Sequence, residues 1–173
     1  MPRTPAALAQ AASAAPSIPA VAGPMCHDTV ITWLVQAGYL ETERVQDLYR
    51  HFGPQALYRR LYADPASDPA ATRATIGAVP AGAICCLFDQ GDRLQHTMVA
   101  TAPGRFAGTN NGSVGGDLNY GAFDGDALPW HDQGTKVGAG PDRYRIVWCT
   151  PDDVVYRFAA LCAEFAPEKA KQI

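Results

Sequence analysis

The chain has 173 residues, 47% of them hydrophobic, and a formal net charge of −3, which suits one domain with a sizeable core and not two. Lys and Arg are scattered, with Arg59-Arg60 a doublet and not a patch, so no basic face for nucleic acid is expected, and no apolar run is long enough to cross a bilayer. The five cysteines, Cys26, Cys85, Cys86, Cys149 and Cys162, contain no C-x-x-C pair and have no cluster of histidines beside them, which argues against structural zinc and thioredoxin-like chemistry; no cofactor is expected. An odd count also argues against a complete disulfide framework; the last four sit in apolar patterns and are read as core thiols, with a disulfide after export left open.

Residues 1–23 are rich in Ala, Pro and Ser, with Pro5, Pro16 and Pro19 interrupting any helix, and are read as a disordered leader ahead of a single domain over 24–173. The leader lacks the Leu-rich run of a cleaved signal and has the composition of a substrate for a specialised secretion machine. Helices are expected over 26–37, over 41–52 with Val45, Leu48, Tyr49 and Phe52 on one face, and from Pro54 to Tyr62. Two Asp-Pro pairs make 64–69 a surface loop. A continuous apolar strand follows over 83–88, then an alternating strand over 94–101 that puts Leu94, His96, Met98 and Ala100 on a core face. Pro103-Gly104 turns the chain into a return strand over 105–111, and Gly- and Asp-rich loops fill 112–140. A last strand over 143–149 leads to a closing helix with Thr150 as N-cap and Pro151 at its first position. The reading is an α+β domain: N-terminal helices on a small antiparallel sheet, with a C-terminal helix.

Cys26 stands at the mouth of the first domain helix. Val30, Trp33, Leu34 and Ala37 follow at helical spacing, so its thiol lies on the stripe facing the protein, and the positive end of the helix favours a thiolate and a lowered pKa. A nucleophilic Cys needs a base, and the base needs an orienter. His96 is the base candidate. Pairing across the Pro103-Gly104 turn sets Asn111 opposite His96, while a three-residue loop would set Asn110 there; Asp117 is the ionised alternative. His27 is read as a rim residue because neighbouring helical side chains diverge. His51 is read as a helix C-terminal cation and His131 as a possible groove residue.

The order of Cys26 at a helix start, a buried strand after Pro80-Ala81-Gly82, then His96 and Asn111, resembles the papain-like cysteine hydrolases, over about residues 24–149. The strand order is also similar to cell-wall hydrolases of the NlpC class. The small size, the helices after the Cys26 helix and the leader resemble secreted bacterial effectors of this fold, including deamidases and proteases. The resemblance implies a Cys26-His96-Asn111 triad acting on a carboxamide, with a host or competitor protein, or alternatively a peptidoglycan peptide, as partner. It also implies a possible cognate immunity protein and secretion by a specialised bacterial system, the alternative being a cytoplasmic location. A non-catalytic binding module is the alternative of another class. Two departures stand out. No Gln or Asn in residues 19–25 supplies a second oxyanion donor, and His27-Asp28-Thr29 replaces the small residues common after an NlpC-class cysteine.

Overall fold

The computed structural model describes residues 3–169, with side chains to residue 166. Its centre is β2 (Ile84–Phe88), whose five residues are all buried, because the strand is flanked on both edges and covered on both faces. It pairs antiparallel with β3 (Leu94–Ala102) and β8 (Arg145–Cys149), and the six-stranded sheet runs β1 (Ala70–Ala71), β8, β2, β3, β4 (Arg105–Gly108), β5 (Gly121–Asp124). The α+β class is thus as expected.

The helices α2 (Cys26–Gln36), α3 (Thr42–Phe52), α4 (Pro54–Leu61) and α5 (Pro151–Lys169) contribute to a core that also holds Ile84, Cys86, Phe88 and Val99 from one face of the sheet. Val30, Trp33 and Leu34 of α2 and Val45 and Leu48 of α3 are the apolar stripes read from the sequence. Thr150 caps α5: its Oγ1 accepts from Asp153 N–H (3.2 Å), while Asp153 Oδ2 accepts from Thr150 N–H (2.8 Å), a reciprocal box built with Asp.

The other face, with Cys85, Leu87, Met98, Ala100 and Ile146, has its own core with Ile76, Val114, Leu128 and Val137. The segment read as loops therefore holds structure: β5, four-residue and shorter 3-10 turns, and a hairpin of β6 (Trp130–His131) with β7 (Lys136–Val137) that covers this face. Short two-to-four-residue elements carry too little periodicity to be read from sequence.

Three further expectations are corrected. The return strand stops at Gly108, because Asn110 turns left-handed (φ 54°, ψ 52°) and a 3-10 turn starts at Asn111. The core face of β3 is not uniform: pairing runs Leu87 with His96 but Phe88 with Leu94, so an irregularity at Gln95 throws Leu94 to the helix side and leaves His96 on the other. Cys162 is only partly buried, unlike Cys85, Cys86 and Cys149.

The leader is the largest correction. Residues Pro5–Ala12 form α1, packed on α2 and β3, with Leu8, Ala9 and Ala12 buried. Pro5 starts this helix instead of breaking it, since a missing N–H is harmless at the first position, and Thr4 Oγ1 caps Ala7 N–H (3.2 Å). Alanines let the helix sit close, and Gly82 makes room for it: a Cβ there would lie 2.4 Å from Pro5 O. Trp33 Nε1 donates to Ala14 O (3.2 Å), Tyr120 Oη to Ala12 O (3.1 Å) and Gln46 Nε2 to Val21 O (3.2 Å), fastening the segment onward to α2. Leu8→Ala is accordingly expected to lower stability by about 2–4 kcal/mol in urea unfolding, as for a packed core residue; a change below about 0.5 kcal/mol would restore the mobile leader.

Candidate functional site

The first turn of α2 has no Ser, Thr or Asp at its N-cap, which is Met25; Asp28, three residues on, supplies the cap. Its Oδ2 accepts from Met25 N–H (2.9 Å) and its Oδ1 from Tyr58 Oη on α4. Asp28 is buried, and a Cβ on Gly23 would stand 2.5 Å from its Oδ2, so the incoming chain passes directly over the carboxylate. Burial raises the Asp28 pKa, opposed by the N–H groups of Met25 and Gly23. Thr29 Oγ1 meets Thr109 Oγ1 at 2.7 Å and ties this turn to the end of β4.

Cys26, the first residue of α2, is 3% exposed and lines a cleft of about 420 Å³ together with Tyr49, Gln55, Tyr58, Gln95 and Asn110. Burial raises the Cys26 pKa, and the N–H groups of Thr97, His27 and Cys26 itself work in the opposite direction. The expected lowering does not occur: the helix-end N–H groups act as anticipated, but desolvation of the thiolate outweighs them.

His96 lies across the sheet from the helix side. Thr97 pairs with Cys86 of the helix-side core, and His96 with Leu87 of the other. β4 pairs with β3 only at Val99, Ala100 and Ala102; beyond that point the α2 terminus meets β3 through the His27–Thr97 hydrogen bond, and Thr109 meets α2 through Thr29. His96 is fully buried and neither ring nitrogen has a hydrogen-bond partner, so Cys26 and His96 are not bonded in this conformation.

Asn111 is brought beside His96, but not by the expected pairing. A bulge between Ala100 and Ala102 shifts the hairpin register by one, which would have favoured Asn110, and the strand then ends before either residue. The turn at Asn110 folds Asn111 inward instead. A Cβ on Gly108 would stand 2.7 Å from Asn111 Oδ1 and 3.4 Å from His96 Nε2, so this glycine leaves both groups their space. Asn111 Nδ2 donates to Gly108 O (3.1 Å) and Asn119 O (3.3 Å), while Oδ1 is buried without a partner. Burial lowers the His96 pKa to about 4, and the Asn111 side chain, close to the ring but outside hydrogen-bond geometry, acts to raise it. Asn110 faces the cleft, and Asp117 is exposed with its carboxylate on Asn119 N–H (3.0 Å), away from the imidazole.

His27 is not a rim residue. It is buried, lines the cleft, shares a hydrogen bond with Thr97 Oγ1 through Nδ1 (2.9 Å), and packs on the Tyr58 ring at 5.1 Å. Its carbonyl accepts from Tyr62 Oη (2.5 Å). Burial and then His96 lower its pKa to about 4. A helical-wheel reading missed it because a strand lies directly beside the helix start; no local signal marks this. His51 is in the last turn of α3 as expected, with its ring against Phe52 and Phe165. His131 bonds Gly138 O through Nε2 (2.9 Å) and does not line the cleft. Among the described residues, no three or more His, Cys, Asp or Glu side chains gather to hold a metal, and no helix is long and apolar enough to cross a membrane.

Comparison of the chain with protein-family models, curated proteins and solved structures found no match.

The two depressed histidines make stability depend on pH. Between about pH 6.5 and 4 the unfolded chain takes up protons that folded His27 and His96 refuse, so stability is full above pH 6.5 and falls as pH drops through this window. The loss is on the order of 3 kcal/mol per histidine. Urea unfolding at pH 7 and pH 4.5 should show it, and His27→Gln should flatten the slope by about half; an unchanged slope would mean that the imidazole is charged or accessible.

Proposed function

We propose that the chain is a papain-like thiol hydrolase in which Cys26 attacks a carboxamide carbonyl. The observation that supports this best is the surrounding of Cys26: a thiol lining a cleft, three backbone N–H groups around its sulfur, and a buried, neutral histidine with two unpaired nitrogens on the adjoining residue of the same strand. The resting pair is Cys-SH with neutral imidazole, since burial disfavours charge on both. In the proposed step, rotation of the His96 and Cys26 side chains at the open edge of β3 brings a ring nitrogen to the thiol. The nitrogen takes the thiol proton as the sulfur bonds the carbonyl carbon, and Cys26 and His27 N–H groups stabilise the oxyanion. The C–N bond then breaks, the amine or ammonia leaves with the proton from His96, and water, deprotonated by His96, cleaves the thioester. Asn111 Oδ1 accepts from the imidazole and orients it. A side-chain amide of Gln or Asn makes the enzyme a deamidase; a backbone amide makes it a protease.

The wider reading, a secreted bacterial effector acting on a protein of a host or competitor, rests on the family resemblance; a peptidoglycan peptide is the alternative target. The ordered α1 removes the disordered leader from its support. A binding domain of the same fold is the second reading, favoured by the raised Cys26 pKa and the missing bond between Cys26 and His96.

Iodoacetamide should label Cys26 ahead of the buried Cys85, Cys86 and Cys149, with Cys162, partly exposed, as its competitor. In a Cys162→Ser protein the labelling rate should rise with pH through an apparent pKa above the ~8.5 of a free thiol. Hydrolysis of a reporter carboxamide should vanish in Cys26→Ala and fall about 10²- to 10⁴-fold in His96→Gln. Activity that survives Cys26→Ala would end the thiol reading, and an inert Cys26 with intact ligand binding would leave the binding domain.

A further inference from the structure

The Cys26 cleft does not end at Gln95. A second cavity of about 370 Å³, lined by Gln55, Ala56, Arg59, Arg93, Leu94 and Gln95, shares Gln55, Leu94 and Gln95 with it. The two form a groove that starts at Cys26, passes over Leu94 between Gln55 of α4 and Gln95 of β3, and reaches two guanidinium groups. No carboxylate lines this second part. Arg59 is exposed on α4 and has no carboxylate partner among the described residues. Arg93 is held by Asp89, whose Oδ2 accepts from Arg93 Nε (2.8 Å) and from Gln95 Nε2 (2.8 Å). Asp89 offsets part of the Arg93 charge, and it also fixes both side chains along one wall. In a chain of net charge −3, Arg59 and the partly offset Arg93 make this end of the groove locally positive.

We propose that this groove takes an extended polypeptide whose carboxamide sits at Cys26 and whose acidic side chain, a few residues along, is read by Arg59 and Arg93. The inference deepens the hydrolase reading and rests on it for the position of the carboxamide. Gln55 and Gln95, which line both cavities, offer amide groups to the peptide backbone. Guanidinium groups suit a carboxylate because their N–H groups match its two oxygens.

The test measures binding by the Cys26→Ala chain, so it does not require turnover. Three fluorescein-labelled peptides of about ten residues are compared by anisotropy. Each carries a central Gln; one has a Glu pair on its N-terminal side, one has the pair on its C-terminal side, and the third has Gln in place of Glu. At low salt one Glu peptide should bind about tenfold more tightly than the third, with most of the difference lost at about 0.3 M salt. Arg59→Ala and Arg93→Ala should each remove about threefold of this preference, and the double variant all of it. Arg44→Ala, an exposed arginine on α3 away from the groove, should leave it unchanged. Equal binding of all three peptides up to millimolar concentration, or a preference that survives the double variant, overturns the inference. So does tighter binding of a peptidoglycan stem peptide than of either Glu peptide. Acid preference without hydrolysis by the natural chain upholds the groove and removes the hydrolase, whereas hydrolysis without acid preference does the reverse.

Discussion

The site depends on one buried carboxylate. Asp28 joins three pieces of chain that would otherwise part: the loop arriving over Gly23, the first turn of α2 through Met25 N–H, and α4 through the Tyr58 hydroxyl. Leaving such a buried group without its partners costs about 1–3 kcal/mol each, so the three are held as a unit. Because Asp28 caps the helix from within, Cys26 and His27 keep their N–H groups directed at the Cys26 sulfur. The same lock sets Tyr58 against the His27 ring and thereby shapes the wall of the cleft.

Burial of the sheet on both faces is the second constraint. Thr97 and His96 are consecutive residues that point to opposite sides of β3, yet one contributes a backbone N–H and a hydroxyl to the Cys26 side and the other an imidazole to the Asn111 side. A fully paired strand would keep these apart. β4 ends early, at Gly108, a residue with no side chain, and leaves β3 unpaired on that edge beside His96. Glycine there has a cost in chain entropy and a use in close approach, and close approach is what Asn111 and His96 require.

Dryness governs the protonation of the site. Cys26, His27 and His96 all lose water in the fold, and each is pushed toward its neutral form: the thiol pKa up, the two imidazole pKa values down. In the proposed reaction a neutral pair stores no thiolate before substrate arrives, and the charge that develops on the carbonyl oxygen falls to the N–H groups of the α2 terminus. The unpaired nitrogens of His96 and Oδ1 of Asn111 are the polar groups that this arrangement leaves unsatisfied. Such orphans are uncommon in native interiors.

The sequence by itself determined the elements with strong period or strong punctuation. The stripe of Val30, Trp33 and Leu34, the apolar run 83–88, the Thr150-Pro151 helix start and the Pro103-Gly104 turn are all present as read, because each is set by neighbours within a few residues. It also determined that Cys26 opens a helix; Asn111 does come beside His96, but through the turn at Asn110 and not through the hairpin pairing argued for it. Tertiary structure decided the rest. An Ala-rich segment became α1 because Gly82 and α2 offered a surface for it, which no local propensity records. Bulges at Gln95 and Thr101 changed which face Leu94 occupies and which register the hairpin keeps, since one unpaired residue reverses every side chain beyond it. The protonation of Cys26 was decided there too: helix-end N–H groups are local and legible, whereas desolvation is the sum of everything packed around the thiol, and here it is the larger effect.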